Sequence, residues 1–312
     1  MNKFKSVLNR TTLVLFRAVP VRVAQHVLFL AQSQRETLDR WGYHIRPIHY
    51  YEPLPDFRSI TKEQIIRRRE YPALDFNWET QMGLLKDLAA YRDELRQLDR
   101  QGANGFDFQN GYFDGFDAAV YYSIIRHLKP SQVIEVGGGY STRIAQKALV
   151  RNRDQGNEGK LICIEPNPEP RLPDTRFDFD LIEKPVQEIE VDFFSSLKAN
   201  DILFIDSTHT VKFGSDVCYA FLDILPKLSS GVWVHVHDIF FPHDYPPEWL
   251  IEKRLALNEQ YLLEAFLAFN DEFSVRLSNR WICLDRTEAA AQLWQTDRPG
   301  SFSSSFWMKR IK

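Results

Sequence analysis

The sequence predicts an α/β protein with a doubly wound, mostly parallel sheet of seven strands and a helical N-terminal extension. Near-continuous apolar runs alternate with helical patterns from about residue 118 onward, as is typical of a parallel sheet covered on both faces. A turn of three successive glycines follows the first of these runs. Three of the runs end in acidic or histidine residues, so polar side chains are expected at the carboxyl edge of the sheet, where ligands bind.

The stretch 131–149 predicts a strand, a glycine turn and a helix, and the chain is organised around it. The apolar run 133–136 leads into Gly137 to Gly139, and the helix is expected to open near Ser141 or Thr142. Glycines let the backbone approach a ligand, and the N–H groups at the start of the helix favour a polar or anionic partner. A nucleotide-type ligand is therefore expected here, although such a turn can also serve only to pack a helix on a sheet.

The other elements follow from periodicity, turn residues and caps. Residues 1–50 are predicted to be mostly helical, with a break at Pro20, and residues 42–60 to be extended or irregular. Residues 101–117 are predicted to form a loop that packs over another part of the protein. Further strands are predicted at 161–165, 177–182, 202–206, 231–238, 273–277 and 305–309, and further helices at 61–70, 77–100, 118–128, 214–228 and 258–270. Residues 1–105 are interpreted as a helical extension and substrate-side cap, and residues 106–312 as the ligand-binding domain.

The composition excludes some classes of protein. With 312 residues and a net charge of -3, the chain is long enough for a large core but lacks the basic surplus of a nucleic-acid binder. Cys163, Cys218 and Cys283 have no metal-binding spacing and are interpreted as reduced thiols of a cytoplasmic protein. The apolar stretch 12–31 is interrupted by polar residues, so no transmembrane segment is expected. It is interpreted as an arm packed on its own domain or on another subunit of a homo-oligomer, with a membrane surface as the alternative.

Glu165 is the first candidate site residue, because it ends the second predicted strand. A carboxylate there can accept hydrogen bonds from both hydroxyls of a ribose. The structural alternative is a solvated or helix-capping carboxylate.

Asp206 and His209 follow the fourth predicted strand. Asp206 is expected near the glycine turn, and His209 is a candidate general base because the ordinary pKa of histidine is about 6.5. The alternative for His209 is a loop histidine with satisfied hydrogen bonds.

His237 and Asp238 end the fifth predicted strand and are expected to join Asp206 in a partial metal site. Carboxylates favour Mg²⁺ or Mn²⁺, and an imidazole also permits Fe²⁺ or Zn²⁺. The alternative is a buried hydrogen-bonded cluster without a metal.

Four segments, IEVGGGYST, CIEPN, FIDSTH and HVHDIF, together resemble a Rossmann-like class I S-adenosylmethionine-dependent methyltransferase. Within that class the chain is most similar to the small-molecule O-methyltransferases that include the metal-dependent macrolide-sugar enzymes. The resemblance covers roughly residues 110–250. A dinucleotide dehydrogenase usually has a third glycine where this chain has Thr142.

The resemblance implies a role for each matching residue. It assigns Asp206, His237 and Asp238 to a Mg²⁺ or Mn²⁺ site, although relatives have a carboxylate where His237 stands, and it makes His209 and Asp206 catalytic. It assigns S-adenosylmethionine binding to Glu135, Gly137, Gly139, Tyr140, Ser141, Glu165 and Asp206.

The expected function is therefore O-methylation of a small-molecule or saccharide hydroxyl. The alternatives are a metal-independent methyltransferase of the same fold, an NAD-type oxidoreductase and a non-catalytic binding protein.

Overall fold

A computed structural model describes residues 20–100, 105–113, 115–168, 172, 179–294 and 303–312. The chain forms two compact units, Met1–Ser59 and Ile60–Lys312. The predicted helix before Pro20, part of the 101–117 loop and the start of the third predicted strand lie outside the described residues. The assignment of residues 1–105 as an extension and cap stays a prediction.

The second unit is built on one seven-stranded sheet with the order β3-β2-β1-β4-β5-β7-β6. β1 to β5 pair in parallel, and β7 runs antiparallel to both of its neighbours, β5 and β6. The predicted doubly wound, mostly parallel sheet and its closing antiparallel pair are thus confirmed. The strands are β1 (Gln132–Val136), β2 (Lys160–Ile164), β3 (Asp180–Ile182), β4 (Ile202–Ile205), β5 (Trp233–Val236), β6 (Phe273–Ser278) and β7 (Phe306–Arg310).

Helices lie in the connections between the strands and before the first strand. Short 3₁₀ turns occur at Ala89–Tyr91, Val186–Glu188 and Leu225–Lys227, and π-helical turns at Ala220–Ile224 and Glu248–Glu252. The α-helices are α1 (Val21–Ser33), α2 (Arg35–Arg40), α3 (Lys62–Ile66), α4 (Trp78–Leu88), α5 (Arg92–Arg100), α6 (Gly115–Leu128), α7 (Tyr140–Arg153), α8 (Val191–Phe194), α9 (Asp216–Tyr219), α10 (Glu259–Leu267), α11 (Asn279–Asp285) and α12 (Thr287–Leu293).

Successive apolar residues of the central strands enter two different cores. In β1, for example, Val133 packs into one cluster and Ile134 into the other. This alternation follows from the two-residue period of a strand, and it explains why β1, β4 and β5 are apolar on both faces. Burial of both faces fixes the register of the strands, and therefore the positions of their carboxyl ends.

Most predicted elements are present, with differences at their ends. The predicted helix 77–100 is interrupted by the 3₁₀ turn at Ala89–Tyr91, and α6 begins at Gly115 rather than at residue 118. Thr61 caps α3, because its hydroxyl accepts from the Gln64 backbone N–H while the Gln64 side chain accepts from the Thr61 N–H. Residues 42–60 form neither helix nor strand, as expected.

None of the helices in the described part of the chain combines the length and apolar character that a membrane crossing demands.

Candidate active site

The turn after β1 brings the backbone of Gly137 against the loop that follows β4. Gly137 has φ 86°, and a Cβ atom at this position would overlap the carbonyl oxygen of Asp206. The Gly137 N–H donates to the carbonyl oxygen of Ile164 at the end of β2, at 2.9 Å. Glycine is therefore required here both by the backbone conformation and by the close approach of two strand ends.

A cavity of about 380 Å³ opens beside this turn, at the carboxyl ends of β1, β2 and β4. Gly137, Glu165 and Asp206 line it, together with residues 185–187, Lys212 and residues 214–216. Ligands of open α/β sheets bind at this edge, so the cavity lies where the glycine turn predicted a nucleotide-type ligand.

Glu165 turns toward the glycine turn. One carboxylate oxygen accepts from the Gly138 N–H at 3.3 Å, and the other accepts from the Asn167 N–H at 2.8 Å. These two N–H groups hold the side chain at the cavity wall, where it remains partly accessible to a ligand.

Glu135 lies beneath the cavity rather than in its wall. Its side chain is fully buried, and its Oε1 accepts from the Tyr121 hydroxyl at 2.9 Å. Burial raises the pKa of Glu135 to about 8, with a smaller contribution from the negative charge of Asp206. Its second oxygen, Oε2, is buried without a hydrogen-bond partner among the described residues.

The raised pKa of Glu135 predicts a pH-dependent stability. The unfolded carboxyl releases its proton near its ordinary value of 4.5 and the folded one near 8, so wild-type stability falls as pH rises between these values. Glu135→Gln removes this titration. Urea titrations at pH 5 and pH 8 measure the free energy of unfolding. From pH 5 to pH 8 we expect it to fall more in the wild type than in Glu135→Gln, by at most about 1.4 kcal/mol per pH unit. An equal pH dependence in the two proteins would contradict this prediction.

Besides Glu135, three of the residues assigned to the cofactor by resemblance do not line the cavity. Gly139 has an extended φ of 167°, with open space where its Cβ would lie, and its N–H donates to the Thr142 hydroxyl at 3.1 Å. Tyr140 stacks on Tyr112 with ring centroids 5.8 Å apart, and Ser141 is buried at the start of α7. Their contribution to cofactor binding stays a prediction.

Two carboxylates and two imidazoles meet at the carboxyl ends of β4 and β5. His209 Nε2 lies 3.3 Å from both Asp206 Oδ1 and Asp238 Oδ2. His237 Nδ1 lies 3.5 Å from both Asp206 Oδ1 and Asp238 Oδ1. Asp206 is thus shared between this cluster and the cavity.

The cluster shifts the pKa values of its members in opposite directions. Burial opposes ionisation of Asp206, but the positive charges of His237 and His209 outweigh it and hold the pKa of Asp206 well below its usual range. Burial likewise disfavours charged imidazoles, yet the surrounding carboxylates raise the pKa values of both histidines well above 6.5. The carboxylates therefore favour the protonated forms of both imidazoles.

The donor atoms best placed for a metal are those of Asp206, His209 and Asp238. One atom from each lies within 4.8 Å of the other two. This set differs from the expected one, since His209 takes the place of His237. His237 lies deeper, and its Nε2 faces the buried residues Asp117, at 3.7 Å, and Ser304, at 3.4 Å.

His209 and Asp238 both adopt left-handed backbone conformations, with φ of 55° and 56°. Non-glycine residues rarely do so, and such strain is concentrated at functional sites. At His209 the strained backbone is held by the N–H groups of Asn258 and Glu259, which donate to its carbonyl oxygen at 3.1 and 3.3 Å.

Sequence reasoning missed two carboxylates that support the histidines. Glu259, the first residue of α10, is almost fully buried, and its Oε2 lies 2.8 Å from His209 Nδ1. Asp117 in α6 accepts from the Asn279 side chain and from the Ser304 N–H, both at 2.7 Å. Neither residue belongs to a local sequence motif. The only signal in the sequence is an acidic residue at a helix position where the pattern predicts an apolar one.

Residues 134–239 match the sequence model of a family described as "Methyltransferase domain". This segment of the chain is similar to a methyltransferase domain. The matched segment runs from β1 to just beyond β5 and contains every site residue that the sequence predicted. The match favours the methyltransferase interpretation over the oxidoreductase alternative.

One relative and two solved structures are also similar to this chain. An uncharacterized protein from Archaeoglobus fulgidus is 28% identical over 201 residues, which cover 61% of this chain and 88% of the relative. The solved structure of CmcI in its apo form covers 64% of this chain and 72% of its own, at 17% identity and a TM-score of 0.38. That of the O-methyltransferase TomG from Streptomyces achromogenes, involved in tomaymycin synthesis and bound to S-adenosylmethionine, covers 79% and 93%, at 13% identity and a TM-score of 0.39.

Proposed function

We propose that the methyltransferase transfers the methyl group of S-adenosylmethionine to a hydroxyl of a small molecule or saccharide. One observation carries this proposal: Asp206 belongs both to the cavity beside the glycine turn and to the acid–imidazole cluster. A donor bound in the cavity and an acceptor oxygen at the cluster would then meet at a single side chain. Positioning of the two reactants is the largest contribution available to such a transfer, on the order of 7–11 kcal/mol at best.

The cavity suits the donor in its polar contacts. The Glu165 carboxylate is held by two backbone N–H groups and keeps acceptor capacity for the two ribose hydroxyls. The absence of a side chain at Gly137 lets the ends of β1 and β4 approach closely, so that Gly137 and Asp206 both line the cavity.

The cluster suits a base that acts on the acceptor hydroxyl. Glu259 bonds to Nδ1 of His209 and thereby directs Nε2 toward Asp206 and Asp238. His209 would take the hydroxyl proton on Nε2, the acceptor oxygen would form a bond to the methyl carbon, and the carbon–sulfur bond would break to leave S-adenosylhomocysteine.

The donor set of Asp206 and Asp238, with an imidazole beside them, fits Mg²⁺ or Mn²⁺. Such a cation, when bound, would lower the pKa of an acceptor hydroxyl and offset the carboxylate charges that hold His209 protonated. Asp206 and Asp238 are the proposed carboxylate ligands, and His209 is kept for the proton.

The binding test of this function is Glu165→Gln. A hydrogen bond to a charged group contributes about 1.5–3 kcal/mol, so we expect S-adenosylmethionine affinity to fall by about 10- to 100-fold in isothermal titration calorimetry. Glu183→Gln, an exposed carboxylate outside the cavity, is the matched control and should bind as the wild type does. Unchanged affinity in Glu165→Gln would remove the proposed ribose contact.

The acceptor is tested separately, by incubating wild-type protein with S-adenosylmethionine and a panel of sugar and phenolic hydroxyl compounds. Mass spectrometry should detect a product heavier by one methylene, together with S-adenosylhomocysteine. Methylation confined to nitrogen or carbon acceptors would contradict O-methylation while leaving the donor site intact.

The metal is tested through stability and through the Mn²⁺ electron paramagnetic resonance signal. At 100 times its dissociation constant, a cation bound only to the folded state adds about 2.7 kcal/mol of stability. We expect Mn²⁺ to raise the Tm of the wild type and of the exposed control Asp154→Asn, but not that of Asp238→Asn. An equal rise in all three proteins would exclude Asp238 as a ligand, and no rise in the wild type would favour the metal-independent alternative.

A further inference from the structure

The start of α11 lies at the same edge of the sheet as the acid–imidazole cluster. Ser278, the last residue of β6, pairs with Phe306 of β7, which in turn pairs with Val236 at the end of β5. The cavity proposed for the donor opens on the other side, at the ends of β1, β2 and β4. The segment that follows Ser278 therefore belongs to the side of the cluster that is left for the methyl acceptor.

Asn279 joins this segment to the cluster through one carboxylate. Its side-chain amide donates to Asp117 Oδ1 at 2.7 Å, and Asp117 Oδ2 lies 3.7 Å from His237 Nε2. The Ser304 N–H donates to the same Asp117 Oδ2 at 2.7 Å. Both oxygens of Asp117 are therefore engaged by groups other than Arg280, the second residue of α11.

Arg280 is a half-buried cation that has no ion-pair partner in the described part of the chain. Its Nη1 is buried and lacks a hydrogen-bond partner among the same residues. Burial lowers the pKa of Arg280, and the nearby Cys283 and Asp117 offset this effect only in part. Because a buried charge is costly unless it is paired and hydrogen-bonded, this guanidinium is suited to receive an anion from outside the chain.

The other charged groups near Arg280 do not supply that anion. Asp285, at the end of α11, accepts two hydrogen bonds from the Arg68 guanidinium and one from the Trp281 side chain. The ring of His243 is half-buried, and burial together with the positive charges of Arg280 and Arg68 lowers its pKa. At His243 the positive charges therefore outweigh the negative charge of Asp285, and such surroundings favour an anion.

We infer that Arg280 binds an oxyanion, a carboxylate or a phosphate, carried by the same molecule whose hydroxyl is methylated. A planar guanidinium can donate two parallel hydrogen bonds to either group. The anionic group of the acceptor would then lie at Arg280, away from the cluster carboxylates that repel it, while its hydroxyl faces His209. Since it names the class of acceptor, this inference rests on the proposed methyl transfer.

Isothermal titration calorimetry with the full chain, saturated with S-adenosylhomocysteine, tests the anion without turnover. The probes form two matched sets: catechol against 3,4-dihydroxybenzoate, and glucose against glucuronate and glucose 6-phosphate. In at least one set we expect an anionic probe to bind about 10- to 100-fold more tightly than its neutral counterpart, because hydrogen bonds between charged groups are strong. Preference for the carboxylates or for the phosphate identifies which oxyanion the site takes.

Variants of the arginine assign the preference to one residue. Arg280→Gln should abolish it, whereas Arg280→Lys, which keeps the charge but not the planar fork, should retain part of it. Arg286→Gln, which removes an exposed arginine just beyond α11, is the matched control and should bind as the wild type does.

Thermal unfolding distinguishes a binding residue from a structural one. The Tm of Arg280→Gln should equal or exceed that of the wild type, because the variant removes a half-buried charge and breaks no ion pair of the described residues. Arg68→Gln, by contrast, breaks the ion pair with Asp285 and should lower the Tm.

Three outcomes would overturn the inference. The first is equal or undetectable binding of neutral and anionic probes by the wild type, and the second is an unchanged preference in Arg280→Gln. The third is an equal loss of preference in Arg286→Gln, which would assign it to overall charge. Failure of the proposed function gives a different result: the anionic probes would bind through Arg280, but no compound would accept a methyl group from S-adenosylmethionine.

Discussion

Gly137→Ala is expected to abolish measurable S-adenosylmethionine binding. The new Cβ would overlap the carbonyl oxygen of Asp206, and residue 137 would still have to hold a φ of 86°. Relief of the overlap requires the ends of β1 and β4 to separate, which displaces Asp206 from both the cavity and the cluster. We also expect the free energy of unfolding to fall by roughly 2–4 kcal/mol, from backbone strain and overpacking together.

Gly139→Ala is a demanding control, because it makes the same chemical change two residues away. Gly139 has an extended backbone, and no atom lies near the position of its Cβ. Its thermal unfolding should stay close to that of the wild type, and any loss of affinity would come from contact with the ligand. Calorimetric titration and thermal unfolding of both variants separate the two effects. A folded Gly137→Ala protein that binds as tightly as Gly139→Ala would contradict the assigned role of the turn.

His209→Ala is expected to lower kcat for methyl transfer by about 10² to 10⁴-fold, because general-base catalysis contributes this much. S-adenosylmethionine affinity should be nearly unchanged, since His209 does not line the cavity. Single-turnover transfer to an acceptor found in the panel, followed by mass spectrometry, measures the effect. The exposed His127→Ala is the control and should retain full activity.

The same variant distinguishes a base from a metal ligand. If His209 serves only as the base, His209→Ala keeps the Mn²⁺-dependent rise in Tm that Asp238→Asn loses. Loss of that rise in both variants would make His209 a ligand and would leave the proton acceptor to another group. Full transfer activity in His209→Ala would refute the base outright.

The sheet, and the edge of the sheet at which the candidate site lies, could be predicted because both depend on local sequence patterns. Apolar runs such as 133–136 identify buried strands, and the rule that parallel strands end at one edge brings Glu165, Asp206 and Asp238 together. The glycine turn was equally visible, since three successive glycines directly follow the first apolar run.

The support of the histidines could not be predicted, because it depends on contacts between distant segments. Glu259 reaches His209 across 50 positions in the chain, and Asp117 meets Ser304 across 187. The presence of His209 instead of His237 in the candidate metal set could not be predicted either. It depends on the left-handed backbone conformations of His209 and Asp238, which local sequence propensities do not predict.

The position of β7 between β5 and β6 makes the candidate cluster depend on a long-range strand pairing. Ser304, which leads into β7, donates to Asp117 and Asp238, and Ser305 bonds to His235. These bonds join segments that are 187, 66 and 70 positions apart in the chain. Because pairing between distant segments forms more slowly than local structure, we expect the buried acidic groups to gain these partners late in folding.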